Sequence, residues 1–195
     1  MLKGKNVSLR TVREADLTEL YRLQSDVALR DAHLSPLLTS ETQFQQEFRE
    51  TGLLNRERGL LLLTDLEDRI LGTVMYFSVN YMDGFELAAQ VFEPAQRGRG
   101  LVTEALRMVM RYLFDSYNIN RLQAATTVAN EGGNRVMSKL GFTLEGVLRG
   151  HYYNRGRHED LNLYSMLRRE FHELSGQRLS VSKEECRAPG TSARA

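Results

Sequence analysis

A single mixed α/β domain (α+β), built on a mostly antiparallel sheet, is the fold class this sequence predicts. Three observations predict it. Apolar strand-like runs between Leu60 and Phe92 are separated only by short polar turns, as in a meander. A glycine- and arginine-rich turn, Gln96-Arg97-Gly98-Arg99-Gly100, then feeds a long amphipathic helix. Beyond it come a strand, a helix ended by Gly141 and a closing hairpin. The length of 195 residues suits one domain with a tail.

In chain order, Asn6–Val12 alternates apolar and polar residues and reads as a strand. Arg13–Asp16 starts a helix with Leu17, Leu20, Tyr21 and Leu23 on one face. Ser40 with Gln43 three residues on resembles a capping box and predicts a second helix to about Thr51. Leu60–Leu63 and Arg69–Val79 are strands flanking an Asp65–Asp68 turn, and Phe85–Phe92 follows the Asn80–Gly84 turn. After the glycines, Val102, Leu106, Val109 and Leu113 fall on one helical stripe. Arg121–Val128 is the next strand, Asn134–Leu140 a helix, and Gly141 a natural C′ residue. Phe142–Arg149 and His158–Leu167 form the hairpin, with Asn154-Arg155-Gly156 near its turn. From Ser175 the chain is polar, so residues 1–174 are expected as the domain and 175–195 as a mobile tail.

Composition narrows the function. Lys and Arg number 26 against 25 Asp and Glu, a balance that argues against nucleic-acid or membrane-surface binding. No apolar run approaches the roughly 20 residues of a membrane span, and no signal-peptide pattern opens the chain. The one cysteine, Cys186, lies in the polar tail, which suits a reducing, cytoplasmic setting and makes it a poor nucleophile. His33, His151, His158 and His172 lack ligand spacing, so no metal site is expected.

The chemistry concentrates at the glycine turn. Glycine permits positive φ and close backbone approach, and the first N–H groups of a helix lack internal partners and carry the positive end of its dipole. A diphosphate suits such a cradle, with Arg97 and Arg99 adding charge. A ligand-free strand-to-helix turn is the alternative. A Walker A loop is excluded because no Gly-Lys-Ser/Thr follows, and the upstream meander does not fit a dinucleotide-binding βαβ unit.

Arg97-x-x-Gly100 matches the first half of an acyl-CoA signature, and with Asn130 and the Lys139–Phe142 run it resembles the GNAT acetyltransferase superfamily over about residues 5–168. Tyr117–Leu122, Lys139–Arg149 and Asp160–Leu167 resemble the RimJ/RimL-type branch, which acetylates ribosomal-protein N-termini. The resemblance implies a central sheet splayed midway, helices on both faces, and acetyl-CoA as co-substrate. Its cofactor contacts would be Val91, Phe92, Arg97, Gly98, Arg99, Gly100, Leu101, Val102, Thr103, Asn130 and Arg135. Asn130 would serve the pantetheine arm or the departing thiol; as a residue it reads equally as a helix cap. Val102 stands where the family has glycine or alanine, Gly133 where the branch often has serine, and Met137 where many members carry a tyrosine acid.

Acetyl transfer by direct attack needs a neutral amine and a proton acceptor. Glu86 is the candidate base, one residue out of the branch's register, an offset that a bulge in its strand would absorb. Tyr152, Tyr153 and Tyr164 are candidate proton donors, and Asp26, Asp31, His33, Tyr81, Asp83 and Tyr153 candidate pocket residues. The implied partner is an amine acceptor, foremost a protein N-terminus, with a homodimer as one assembly. The alternatives are a small-molecule amine (antibiotic, polyamine or amino sugar) and a non-catalytic acyl-CoA-binding module.

Overall fold

A computed structural model of the chain describes residues 1–79 and 83–176. Eight strands form one sheet in the order β1-β2-β3-β4-β5-β6-β8-β7. β1 (Leu2–Lys3) turns back onto β2 (Ser8–Thr11), and β3 (Arg58–Thr64), β4 (Ile70–Ser78) and β5 (Gly84–Val91) continue the antiparallel meander. Leu60–Leu63 are all buried because both faces of β3 are covered. Leu60 and Leu62 pack with Leu20 and Leu23 of α1 (Leu17–Ser25) and Phe44 of α2 (Glu41–Thr51). Leu61 and Leu63 face the opposite layer, where α3 (Leu101–Ser116) contributes Leu106, Val109, Met110 and Leu113. α4 (Glu131–Leu140) adds Met137 and Leu140, and α5 (Arg168–Leu174) adds Phe171.

The middle of the sheet positions the site. β5 and β6 (Arg121–Thr127) run parallel and pair only through Gly84↔Arg121, Phe85↔Leu122 and Glu86↔Gln123. Beyond that pair β6 is held by β8 (Arg157–Leu167), while β5 stays with β4. The two strands diverge into a fork that opens toward their carboxyl ends. Its legs carry Ala88-Ala89 and Ala124-Ala125, small residues that leave the wedge roomy. β7 (Thr143–Asn154) closes the sheet as the far edge. Its hairpin turn holds Arg155 at φ 48° and Gly156 at φ 88°, the left-handed pair of a tight two-residue connection.

The expected α/β class, the meander and the splay are present, with four differences. The first helix enters through a 3-10 turn over Glu14–Asp16. The fourth starts at Glu131 rather than Asn134, because the Asn130 side chain caps it. β1 and α5 were not anticipated; one is two residues long and the other seven, too short for a periodic signal. The bulge expected in β5 is absent: its pairing with β4 runs unbroken from Gly72↔Val91 to Ser78↔Phe85. Gly72 allows this closeness, since a Cβ there would meet the Gln90 carbonyl at 2.0 Å. Among the described residues no helix is long and apolar enough to cross a membrane. The expected tail beyond Gly176, with Cys186, lies outside the described residues, as does Tyr81.

Candidate active site

Three structures meet at the mouth of the fork: the glycine turn after β5, the start of α4 after β6, and the 26–39 loop crossing between them. In the glycine turn, Gly98 and Gly100 hold φ of 75° and 83°, a region that L side chains rarely adopt. A Cβ built on either would meet nothing within 4 Å, so the turn faces open space. The first intrahelical bond of α3 runs from the Glu104 N–H to the Gly100 carbonyl. Among the described residues, the six consecutive N–H groups from Gly98 to Thr103 have no protein acceptor. That is a concave row of donors at the positive end of a 16-residue helix dipole, suited to a diphosphate. Val102 packs against the core, so its side chain leaves the cradle clear.

The two arginines of the turn diverge in role. Arg99 donates to Gln96 Oε1 at 2.5 Å and stays beside the cradle. Arg97 turns inward, donating to the carbonyls of Val91, Phe92 and Leu29 and pairing with Asp31 at 3.1 Å. Its guanidinium therefore fastens the crossing loop, and Asp31 neutralises the charge expected for the diphosphate. The side chains of Val91 and Phe92 are buried and their carbonyls accept from Arg97, so they build the wall of the fork.

The crossing loop is tied to both legs. His33 Nδ1 and Thr127 Oγ1 share a 2.9 Å hydrogen bond, the Ser35 N–H donates to the Tyr152 hydroxyl at 2.6 Å, and Asn154 Nδ2 donates to the Ala32 carbonyl at 2.8 Å. With Arg97 on the other side, the loop is a strap across the α1/α2 face of the opening. Its acids are engaged: Asp26 accepts the Ala28 N–H, while Asp31 accepts the His33 N–H and pairs with Arg97.

At the closed end of the fork sits Glu86. Phe85 and Leu87 point into the α3 layer, so alternation directs Glu86 to the α1/α2 face. Its Oε2 accepts from Gln123 Nε2 at 2.7 Å, across the last pair before the strands part. Gln123 is a buried polar residue that sequence reasoning missed; its signal was a glutamine inside the apolar strand Leu122-Gln123-Ala124-Ala125. Asp83 lies exposed ahead of β5 and Tyr153 stands on the surface against His158, so neither joins this cluster.

On the β6 leg, Asn130 Oδ1 accepts the Gly133 N–H at 2.9 Å, so it is a helix cap, and its Nδ2 has no acceptor among the described residues. Glycine at 133 leaves room here: a Cβ would come within 2.6 Å of Thr126 Oγ1 and 2.9 Å of Asn130 Nδ2, so those side chains would have to shift. Asn134, also missed, locks this turn. Its Nδ2 donates to the carbonyls of Thr127, Val128 and Asn130, and its Oδ1 accepts from Asn162 Nδ2 and the Tyr164 hydroxyl at 2.8 Å each. Arg135 is exposed and lies 3.7 Å from Glu131. Met137 is buried in the core. Among the three hairpin tyrosines, Tyr164 gives its proton to Asn134, whereas Tyr152 accepts a bond and keeps its proton for another partner.

Known proteins share this fold. Residues 6–143 match the Acetyltransferase (GNAT) domain family. A probable N-acetyltransferase of Bacillus subtilis, YjcK, is 30% identical over 177 residues, covering 86% of this chain and 97% of its own. Among solved structures, the spermidine N-acetyltransferase of Vibrio cholerae, in complex with CoA and spermine, superimposes with a TM-score of 0.74 at 17% identity, covering 85% of this chain and 97% of that one. RimL, the ribosomal L7/L12 alpha-N-protein acetyltransferase in complex with CoA, gives 0.73 at 20% identity over 84% and 95%.

Proposed function

The chain belongs to the GNAT acetyltransferase family, as an N-acetyltransferase that uses acetyl-CoA, and on that premise we propose that its acceptor is the amine of a protein N-terminus. The observation that carries this reading is the single carboxylate at the closed end of the fork, Glu86, beneath a strap whose own acids are tied down. One N-terminal ammonium needs one carboxylate. A polyamine brings several cations, and this strap has Asp31 neutralised by Arg97 and Asp26 bonded to its own backbone.

Acetyl-CoA supplies the activated thioester, whose C–S bond breaks as the C–N bond to the amine forms. The N–H groups of Gly98, Arg99, Gly100, Leu101, Val102 and Thr103, which have no acceptor among the described residues, would hold the diphosphate, and Asn130 Nδ2 would donate to the pantetheine arm. Glu86 takes the proton that the attacking nitrogen loses. Gln123 fixes that carboxylate from β6, so the base sits where the strands begin to part. Tyr152, whose hydroxyl accepts from the Ser35 N–H and keeps its own proton, would be the donor to the departing sulfur.

The test is thiol release with acetyl-CoA across peptides with free and blocked N-termini, spermidine and amino sugars, with mass spectrometry of the products. Turnover on free N-termini that vanishes on blocking supports the reading. Higher kcat/KM on spermidine or amino sugars than on every peptide would overturn it.

A further inference from the structure

Among the described residues, the buried side-chain atoms without a hydrogen-bond partner are Thr64 Oγ1, Tyr76 Oη, Gln90 Nε2, Asn154 Oδ1 and His172 Nε2. Thr64, Tyr76 and His172 belong to β3, the α3 layer and α5. Asn154 is shut in behind its own bond to the Ala32 carbonyl. Gln90 stands elsewhere. Phe85, Leu87 and Val91 of β5 pack in the α3 layer, so alternation puts Gln90 on the α1/α2 face, in line with Glu86 and the exposed Ala88. On one side it pairs with buried Thr73 of β4. On the other, the pairing of β5 with β6 has already ended at Glu86↔Gln123, and the fork is open. Arg97 clamps the Leu29 carbonyl to those of Val91 and Phe92, so the strap begins its crossing immediately beyond Gln90. The Gln90 amide makes no hydrogen bond to any described residue, and its Nε2 is buried. A buried donor without an acceptor weakens a fold; held at the mouth of a substrate opening, it is matched when an acceptor arrives.

We propose that Gln90 is a specificity-determining residue, whose Nε2 donates to a backbone carbonyl of the acceptor peptide. The inference rests on the reading of the acceptor as a protein N-terminus. Gln90 lies four residues from Glu86, about 13 Å along β5 at about 3.3 Å per residue. An extended peptide advances about 3.3–3.6 Å per residue. An acceptor whose amine sits at Glu86 therefore brings the carbonyl of its third or fourth residue to Gln90. A polyamine offers cationic donors at that distance and leaves Nε2 unmatched, and a buried donor left unmatched is how a site rejects the wrong substrate.

The experiment measures kcat and KM for thiol release on a pentapeptide with a free N-terminus, on the matching single-residue amide and on spermidine. Native chain and Gln90→Met are compared, with calorimetry for acetyl-CoA and a thermal melt of each. Methionine keeps the length of the side chain and removes the amide, so the variant should melt at a higher temperature than the native chain. Its KM for the pentapeptide should rise about tenfold. Its kcat, its acetyl-CoA affinity and its KM for the single-residue amide should stay within about twofold. A second measurement needs no variant: a trans-alkene in place of the third or the fourth peptide group keeps the extended shape and removes the carbonyl. With the native chain it should reproduce the rise in KM at one of those two positions. A pentapeptide KM that neither change moves, or equal shifts for the pentapeptide and the single-residue amide, would overturn the role of Gln90 and leave the N-terminal acceptor standing. Turnover of spermidine without turnover of any peptide would overturn the acceptor reading and this inference with it.

Discussion

Glu86→Gln tests the proposed base most directly, because the substitution is close to isosteric. The side-chain oxygen of the glutamine can still accept from Gln123 Nε2, now at 2.7 Å from Glu86, so the cross-strand contact and the fork geometry persist. Only the ability to take a proton is lost. Positioned general bases contribute roughly 10²–10⁴ in rate, which at 1.36 kcal/mol per tenfold is about 2.7–5.4 kcal/mol of transition-state stabilisation. Glu86 faces the α1/α2 layer and the diphosphate turn lies beyond the end of β5, so acetyl-CoA affinity should stay within about twofold. Steady-state thiol release on the best peptide, with calorimetry for the cofactor, reads the two quantities separately. A kcat within threefold of the native value would remove Glu86 as the base, and a parallel loss of cofactor affinity would mean that the substitution had disturbed the fork itself.

Gly100→Ala places a Cβ in the left-handed region and in the open space over the donor row; acetyl-CoA affinity should fall more than tenfold by calorimetry, with only the ~1 kcal/mol of backbone strain appearing in the melt. Gly133→Ser, which restores the residue common in the RimJ/RimL-type branch, should lower the melting temperature here because of the crowding against Thr126 and Asn130, and Thr126→Ala should recover part of the loss. Asp16→Asn should cost about 1.5–3 kcal/mol at neutral pH, since buried Arg10 loses the carboxylate that holds it with both oxygens while keeping Asp68 on its Nε. Arg10 keeps the Asp16 carboxyl below its ordinary value, so the pair's contribution is full above the ordinary carboxylate range and is lost as pH falls through the lowered folded value; the gap between native and variant melts should narrow progressively as the pH drops below the ordinary carboxylate range.

How legible this molecule was follows from the range of each interaction. The meander, the long helix and the closing hairpin rest on local periodicity and turn chemistry, and they stand within a few residues of where the sequence put them. The glycine turn was legible for the same reason, since positive φ is a local demand that glycine answers. What was not legible depends on contacts far apart in the chain. Arg97 looks like a free cation beside two glycines, and only the fold brings Asp31 and the Leu29 carbonyl onto it, 66 and 68 residues away. Gln123 and Asn134 are polar residues whose partners, Glu86 and the Asn162–Tyr164 pair, lie on other strands. Val102 and Gly133 were departures from a family pattern, and both answer to this chain's own packing.

The distribution of paired and unpaired charge separates the two halves of the reaction. On the α1/α2 face the strap's Arg97 and Asp31 cancel each other, which leaves Glu86 as the proposed base for the amine. On the α3 face Lys3, Lys5, Arg107, Arg111 and Lys139 line an open groove and make no ion pair among the described residues, and the donor row of the glycine turn opens beside them. Unpaired charge at a surface raises the local concentration of an oppositely charged ligand and its rate of arrival. Paired charge does not; it rigidifies. On the proposed reading, field draws the polyanionic donor to one side of the sheet, while the shape of a fastened strap and a single carboxylate select the acceptor on the other. Arg97→Ala tests this division, since it frees Asp31 and loosens the strap without touching the unpaired cations of the groove. It should raise KM for the peptide severalfold and improve relative turnover of cationic small amines. The same change in KM for acetyl-CoA and for the peptide would show that the two faces are not separate.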